Sequence, residues 1–376
     1  MKIIAFYLPQ FYTFPENDEW WGKGFTEWTN TKKAIPQFRH HYQPRIPYKE
    51  NYYTLVDTNT IAWQLNLAKE YGIYGFCFYH YWFAGGKKLL EKPVELFLKD
   101  KNLKMNFCLS WANEPWTRSW DGEQKQVIMP QEYGDEKEWK EHFYYLLDYF
   151  RDERYIKIKN KPLFIFYKPE LFQRFDEMIK LWNGWAVKEG FDGICLAIQG
   201  PKWNVISQND SMFVEYKIMY EPGYTGELLD YKFDFRLSCS KMMMKINSLL
   251  TSGFKGNKFS YKAYCENIIT RTKQSDKEVP GFFVDWDNTA RRGNRANVFC
   301  GSNPEVFEYY LSKLVLRCKN EYHKDTIFIN AWNEWAEGCY LEPDQKYGLD
   351  YLKALKKVLI NHNEFPNDMN NNIECL

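Results

Sequence analysis

The sequence predicts an α/β protein built as a single (β/α)8 TIM barrel, with long loops after strands 1 and 6. Three observations carry this reading. Eight short apolar runs are spread along the 376 residues, and helical patterns lie between most of them. The runs are continuously apolar rather than alternating, as strands covered on both faces are. The first run is followed by Pro9-Gln10-Phe11-Tyr12. A doubly wound sheet, the runner-up, usually opens there on a glycine-rich turn.

Taken in order, the apolar runs are 3–8, 74–80, 105–111, 162–167, 193–198, 212–216, 281–286 and 326–332. A helix is expected over 58–71, where Ile61, Leu65, Ala68 and Tyr71 share one face, with Asp57 as cap and Gly72 as stop. A second covers 135–150, with acids in its first turn. A third starts at Pro304 behind the cap Asn303, and a fourth over 349–361 follows the last strand. Residues 199–211 leave little room for a helix between strands five and six. The segments 9–57 and 217–279 are long enough to carry function or elements of their own. The barrel is expected over 1–363, with a frayed tail over 364–376.

Composition narrows the function. Lys plus Arg is 50 and Asp plus Glu is 49, a net charge of +1 with no long run of one sign. Neither nucleic acid nor an anionic membrane surface is an expected partner. No stretch reaches the ~20 apolar residues of a membrane span, and the opening apolar run is too short for a secretory leader. Nine scattered cysteines form no CxxC pair. A soluble, cytoplasmic protein in a reducing compartment is expected. Aromatic residues make up 19% of the chain, with 15 Trp. They belong either to an aromatic core or to a cleft lined with rings.

A barrel places its reacting groups at the C-terminal ends of its strands. The sequence sets Gln10 there after strand one, and His80 and Tyr81 after strand two. Trp111, Asn113, Glu114 and Trp116 follow strand three, and Lys168 follows strand four. Glu215 and Tyr216 end strand six, and Asp285 and Asp287 end strand seven. Asn333, Glu334, Trp335 and Glu337 end strand eight. Tryptophans gather on the same side, Trp28 among them. Rings beside amides and carboxylates suit a carbohydrate, whose apolar face stacks on indole and whose hydroxyls need orienting hydrogen bonds. Glu334 and Glu337 then acquire a purpose. Cleaving a glycosidic bond needs one group to protonate the leaving oxygen and another to assist at the anomeric carbon. Two close carboxylates in a low-dielectric cleft resist ionising together.

Other constellations are weaker. Asp285-Trp286-Asp287 is an Asp-x-Asp element, which in nucleotide-sugar glycosyltransferases holds a divalent metal; the bland alternative is hydrogen bonding to substrate. His80 either orients a carboxylate or satisfies a core hydrogen bond. HExxH, Walker A and GxSxG are absent.

The blocks AFYLPQFY, PENDEWWGKGFTEWTN, HYQPRIP, YGFCFYHYWF, WANEPWTRSWDG, WDNTARR and NAWNEWAEGCYLEPD run in order from residue 5 to about 344. As a set they resemble the WbsX-like proteins, glycoside hydrolase family 99-like domains of bacterial O-antigen and capsule loci. The resemblance implies a retaining, endo-α-mannosidase-like barrel without cofactor or catalytic metal. It implies that Glu337 is the general acid/base and that Glu334 acts on the sugar 2-hydroxyl, whose oxygen attacks the anomeric carbon to give an anhydro sugar. The implied substrate is an oligo- or polysaccharide, and the implied company is other polysaccharide-assembly enzymes. A nucleotide-sugar glycosyltransferase and a non-catalytic polysaccharide-binding barrel are the alternatives.

Overall fold

The computed structural model describes residues 1–118, 126–199, 211–232, 253–366 and 372–376. Its barrel strands are β1 (Lys2–Tyr7), β2 (Ile73–Trp82), β3 (Asn106–Trp111), β4 (Lys161–Phe166), β5 (Cys195–Ile198), β6 (Val214–Ile218), β7 (Glu278–Val279, continued by Gly281–Phe283) and β8 (Thr326–Asn330). Neighbours in sequence pair in parallel from β1 to β6. β6 pairs with the first piece of β7, and the second piece pairs with β8. β8 returns to β1 and closes the ring.

β7 is divided by Pro280, which has no N–H to give to the ladder. Its carbonyl still accepts from Phe328 N at 3.0 Å. The next residue must be small, because a Cβ on Gly281 would stand 1.9 Å from the Met219 carbonyl oxygen. The backbones of β7 and the end of β6 therefore approach as no side chain would permit.

Helices cover the barrel, four of them over the expected stretches 58–71, 135–150, 304–318 and 349–361 and four more that were not among the expected helices. They are α1 (Thr58–Glu70), α2 (Lys92–Lys99), α3 (Glu136–Arg151), α4 (Phe175–Lys188), α5 (Gly223–Lys232), α6 (Tyr261–Thr270), α7 (Pro304–Arg317) and α8 (Asp350–Asn361). The caps read from sequence form. Asp57 accepts from Asn59 N at 3.0 Å, and Asn303 accepts from Val306 N at 2.9 Å. Both long loops carry elements of their own. The β1 loop folds into the short helices Pro15–Trp21 and Glu27–Lys33, and the segment after β6 contains α5 and α6. Residues 200–210, between β5 and β6, lie outside the described residues.

The two-residue period of a strand decides what faces the site. On β2, Phe78 packs against Phe97 of α2, and His80 meets His142 of α3 at 2.8 Å. Tyr79 and Tyr81, between and beyond them, turn to the opposite side. Tyr79 OH donates to Tyr220 OH at 3.1 Å. Gln199 Nε2 donates to Tyr79 OH at 3.2 Å, and Ser110 Oγ donates to Gln199 Oε1 at 2.8 Å. A polar layer thus crosses the barrel below its strand-end mouth.

The end of the chain differs from the expected frayed tail. Asn372–Ile373 pairs with Lys157–Ile158, and Ile373 and Leu376 are buried. These apolar side chains give the segment a reason to dock. Among the described residues no helix is long and apolar enough to cross a membrane.

Replacing Gly281 by Ala should destabilise the protein by about 1–3 kcal/mol, the usual range for forcing atoms into a filled interior. Urea unfolding monitored by tryptophan fluorescence checks this; an unchanged midpoint would show that β6 and β7 are not so closely apposed.

Candidate active site

A cavity of about 390 Å³ opens at the strand ends and is lined by Gln10, Tyr81, Glu114, Trp116, Glu334 and Glu337 from the expected set. Tyr79, Tyr167, Tyr220, Trp286 and Arg291 complete much of its wall. Lys168 reaches it indirectly, through an ion pair with Glu114.

The stretch after β8 explains how the two glutamates come to face this space. Asn333 is fully buried; its Oδ1 accepts from Leu8 N at 2.7 Å and its Nδ2 donates to Leu8 O at 3.0 Å. Trp335 stacks on Tyr340 with ring centroids 3.9 Å apart, and its Nε1 donates to Glu342 at 2.6 Å. Gly338 turns at φ 60°, and a Cβ there would come within 3.0 Å of Asp287. Asp287 N donates to Glu337 O at 2.7 Å. The residues between the glutamates anchor the loop, leaving Glu334 and Glu337 directed at the cavity.

Arg291 links them. Its Nη1 pairs with Glu337, and its Nη2 lies 3.5 Å from Glu334. Its Nη2 also donates to Glu27 at 2.8 Å. Burial pushes the Glu334 carboxyl well above its ordinary range, and the nearby charges of Glu337 and Glu27 add to this against Arg291. Burial raises Glu337 too, with Arg291 opposing and Glu27 and Glu114 adding to the rise. Such a pair resists losing both protons together and can offer one acid and one base.

Several expected site residues stand elsewhere. His80 faces α3, where burial lowers its imidazole to about 3, so it is a neutral core histidine. It and Tyr81 are consecutive on a strand and cannot both face inward. Trp111 likewise points outward, its Nε1 donating to Trp82 O at 3.1 Å. Asn113 is buried and bridges to the Lys168 backbone, accepting from its N–H and donating to its carbonyl, both at 2.8 Å. Asn333 and Trp335 are anchors, as described.

Glu215 and Tyr216 are corrected most plainly. β6 runs on to Ile218, so they sit at its start, where Glu215 pairs with Lys161, the first residue of β4. The mouth is reached by Tyr220 instead. Trp28 borders a different groove, of about 850 Å³, with Tyr52 and Tyr53.

The Asp-x-Asp pair is occupied by the β1 loop. Asp285 accepts from Arg45 at 2.9 Å. Asp287 accepts from Gln43 at 2.6 Å and from Thr289 N at 3.0 Å, and meets His41 Nε2 at 2.8 Å. Burial would raise Asp287, but the His41 hydrogen bond and the Arg45 charge prevail and hold it at about 2. Neither aspartate lines the cavity. Trp120 and Asp121 of the WANEPWTRSWDG block lie outside the described residues.

The residues missed from sequence had uneven signals. Tyr79 follows from the alternation that also gives Tyr81. Arg291 lies in the WDNTARR block but carries no mark of its role. Glu27 is more than three hundred residues from its contact with Ala336 N, at 3.2 Å.

The fold is a TIM barrel with carboxylates at its strand ends, where such barrels place their reacting groups. The GH99 endo-alpha-mannosidase from Bacteroides thetaiotaomicron superposes with a TM-score of 0.56 at 15% identity, over 96% of this chain and 97% of that one. A solved glycoside hydrolase-like protein superposes with a TM-score of 0.50 at 15% identity, over 95% and 93% of the two chains. The chain belongs to the family described as Glycosyltransferase WbsX, whose sequence model matches residues 3–355. The uncharacterized protein WxcX of Xanthomonas campestris pv. campestris strain B100 is 34% identical over 360 residues, 95% of this chain and 49% of that protein. Its counterpart in strain ATCC 33913 is 33% identical over the same length. The chain thus spans about half the length of these relatives.

Glu342, behind the loop, makes a pH prediction. It accepts from Tyr53 OH at 2.7 Å, Gln64 Nε2 at 2.6 Å and Trp335 Nε1, yet burial outweighs these bonds and raises it to about 7. A carboxyl raised on folding contributes stability that is present below its unfolded pKa and is lost as pH rises through the folded value. Glu342→Gln cannot titrate. Its stability relative to the native protein should therefore improve by about 3 kcal/mol between pH 4 and pH 8. Urea unfolding at both pH values measures this, and a pH-independent difference would contradict the assignment.

Proposed function

We propose that this chain is a carbohydrate-active enzyme that acts on a glycosidic bond with retention at the anomeric carbon. The observation that carries the proposal is the Glu334–Glu337 pair, with both carboxyls raised, facing an aromatic-walled cavity at the mouth of a barrel. The fold likeness to an endo-alpha-mannosidase supports an α-mannoside-like substrate. Membership of the WbsX family, with the resemblance of the sequence blocks to proteins of O-antigen and capsule loci, supports a setting in bacterial surface polysaccharide assembly beside other assembly enzymes, and the scattered cysteines without a CxxC pair support the cytoplasm.

In this reading the proton shared by the pair stands on Glu337 once the sugar is bound, and Glu334 takes the proton of the sugar 2-hydroxyl while that oxygen attacks the anomeric carbon. Glu337 gives its proton to the leaving oxygen as the glycosidic bond breaks. The anhydro sugar then opens as water, or an acceptor hydroxyl, attacks the anomeric carbon. Glu337 takes the incoming proton and Glu334 returns one to the 2-oxygen. Gln10, Tyr81, Glu114 and Trp116 hold the sugar, with Trp286 as a further ring.

The family description favours a second reading, transfer from a nucleotide-sugar donor. The oxygens of Asp285 and Asp287 are engaged by Arg45, Gln43, His41 and Thr289, so that donor would have to displace the β1 loop to reach them.

Turnover of α-manno-oligosaccharides and of aryl α-mannosides by Glu337→Gln tests the proposal. Loss of the acid should slow the unactivated substrates by about 10²–10⁴-fold and the activated aryl glycosides much less. Full activity of Glu337→Gln on the oligosaccharides would refute it. Activity lost to a chelator, with a 2-deoxy sugar tolerated, would favour the nucleotide-sugar transferase.

A further inference from the structure

Glu27 is fully buried in the short helix Glu27–Lys33 and is not among the residues that line the cavity. Its Oε1 accepts from Arg291 Nη2 at 2.8 Å and from Ala336 N at 3.2 Å. Among the described residues its Oε2 has no hydrogen-bond partner. A buried carboxylate that is only half satisfied is costly, and a packing role would be filled better by an uncharged side chain. Arg291 meanwhile touches both glutamates of the cavity. One guanidinium therefore serves three carboxylates, and Glu27 does not line the space where substrate would sit.

We infer that Glu27 is a positioning residue for the reaction: it holds Arg291 across Glu334 and Glu337 and, by opposing that positive charge, keeps the pair at a single shared proton. The inference rests on the pair being the reacting groups, but its test needs no turnover.

The argument is one of charge. With Glu27 ionised, the pair faces a guanidinium whose charge is largely matched from behind. Two neighbouring carboxylates at low dielectric then keep one proton between them. Without Glu27, the unopposed guanidinium favours ionisation of both. Without Arg291, the negative charge of Glu27 favours protonation of both. Either change removes the state with one acid and one base.

The other groups facing the pair do not supply this balance. Glu114 is paired with Lys168. Tyr79, Tyr81, Tyr167 and Tyr220 are phenols that burial keeps neutral. Asp287, behind Gly338, is hydrogen-bonded by Gln43 and His41 and lies 3.6 Å from Arg45. Glu27 also fixes Ala336, between the two glutamates, so it sets the position of the loop as well as its charge.

The experiment is a carbon-13 NMR titration of the whole protein with labelled glutamate side chains. Signals of 334 and 337 are assigned from Glu334→Gln and Glu337→Gln. Glu27→Gln keeps an oxygen for Ala336 N but loses the charge. It should lower the titration midpoints of the pair by about one pH unit, and Arg291→Gln should raise them by about as much. Arg291→Lys, which retains the charge, should fall between Arg291→Gln and the native protein. Opposite shifts are a signature that a merely structural role would not produce. Unmoved midpoints, or shifts in one direction for both variants, would overturn the inference. Should Glu27→Gln fail to fold, the Arg291 variants decide by the same criterion. If the midpoints move as stated while Glu337→Gln keeps full turnover, the charge arrangement stands and the proposed reaction falls.

Discussion

Two carboxylates kept from bulk water beside one guanidinium set the terms for the mouth of this barrel. Ionised together, Glu334 and Glu337 would repel at low dielectric; protonated together, they would hold no base. Arg291 lies against both carboxylates, and it does so from a fixed place. The surrounding residues provide that place. Asn333 binds the loop after β8 to the chain after β1. Trp335 is clamped between Tyr340 and Glu342. Gly338 lets the Glu337 backbone lie against Asp287. Glu27 reaches both Arg291 and Ala336 from the β1 loop. The aspartates that resemble a metal-binding element thus serve to join that loop to the site.

The barrel was legible because its strands are buried on both faces and read as continuous apolar runs, and because the helix caps at Asp57 and Asn303 are local signals. Which strand-end residues face the cavity was less so. The chemistry of a side chain says nothing about the parity of its position, and His80 and Tyr81 were both attractive by type although one must point out. Trp111 failed for the same reason. Glu215 and Tyr216 failed because the apolar run ended before the strand did: Lys217, buried at 8% exposure, is a strand residue that hydropathy reads as a boundary. The place of Asn333 and Trp335 beside the glutamates suggests substrate groups, yet residues so placed are also those best able to hold a loop. Glu27 and Arg291 could not be read at all. Their pairing joins residues 264 apart, and no periodicity or spacing encodes it.

The same geometry bears on the difference between the family's description as a glycosyltransferase and the glycoside hydrolase-like fold. An acid/base pair acting on a glycosidic bond does not distinguish water from a sugar hydroxyl as the incoming group. That choice lies in what fills the acceptor side of the cavity and how well water is kept out of it. Hydrolysis and transglycosylation are thus two outcomes of one arrangement. Transfer from a nucleotide donor differs in kind, since its leaving group brings its own negative charge into a space already lined by Glu114, Glu334 and Glu337.

The central claim, that the glutamate pair acts through two successive displacements at the anomeric carbon, is tested most directly by the stereochemistry of the first product. Proton NMR of the anomeric signals during turnover of an α-manno-oligosaccharide resolves it. Two successive displacements at the anomeric carbon predict that the α-anomer appears first and the β-anomer only later, by mutarotation. Initial appearance of the β-anomer would mean a single displacement and would contradict the account.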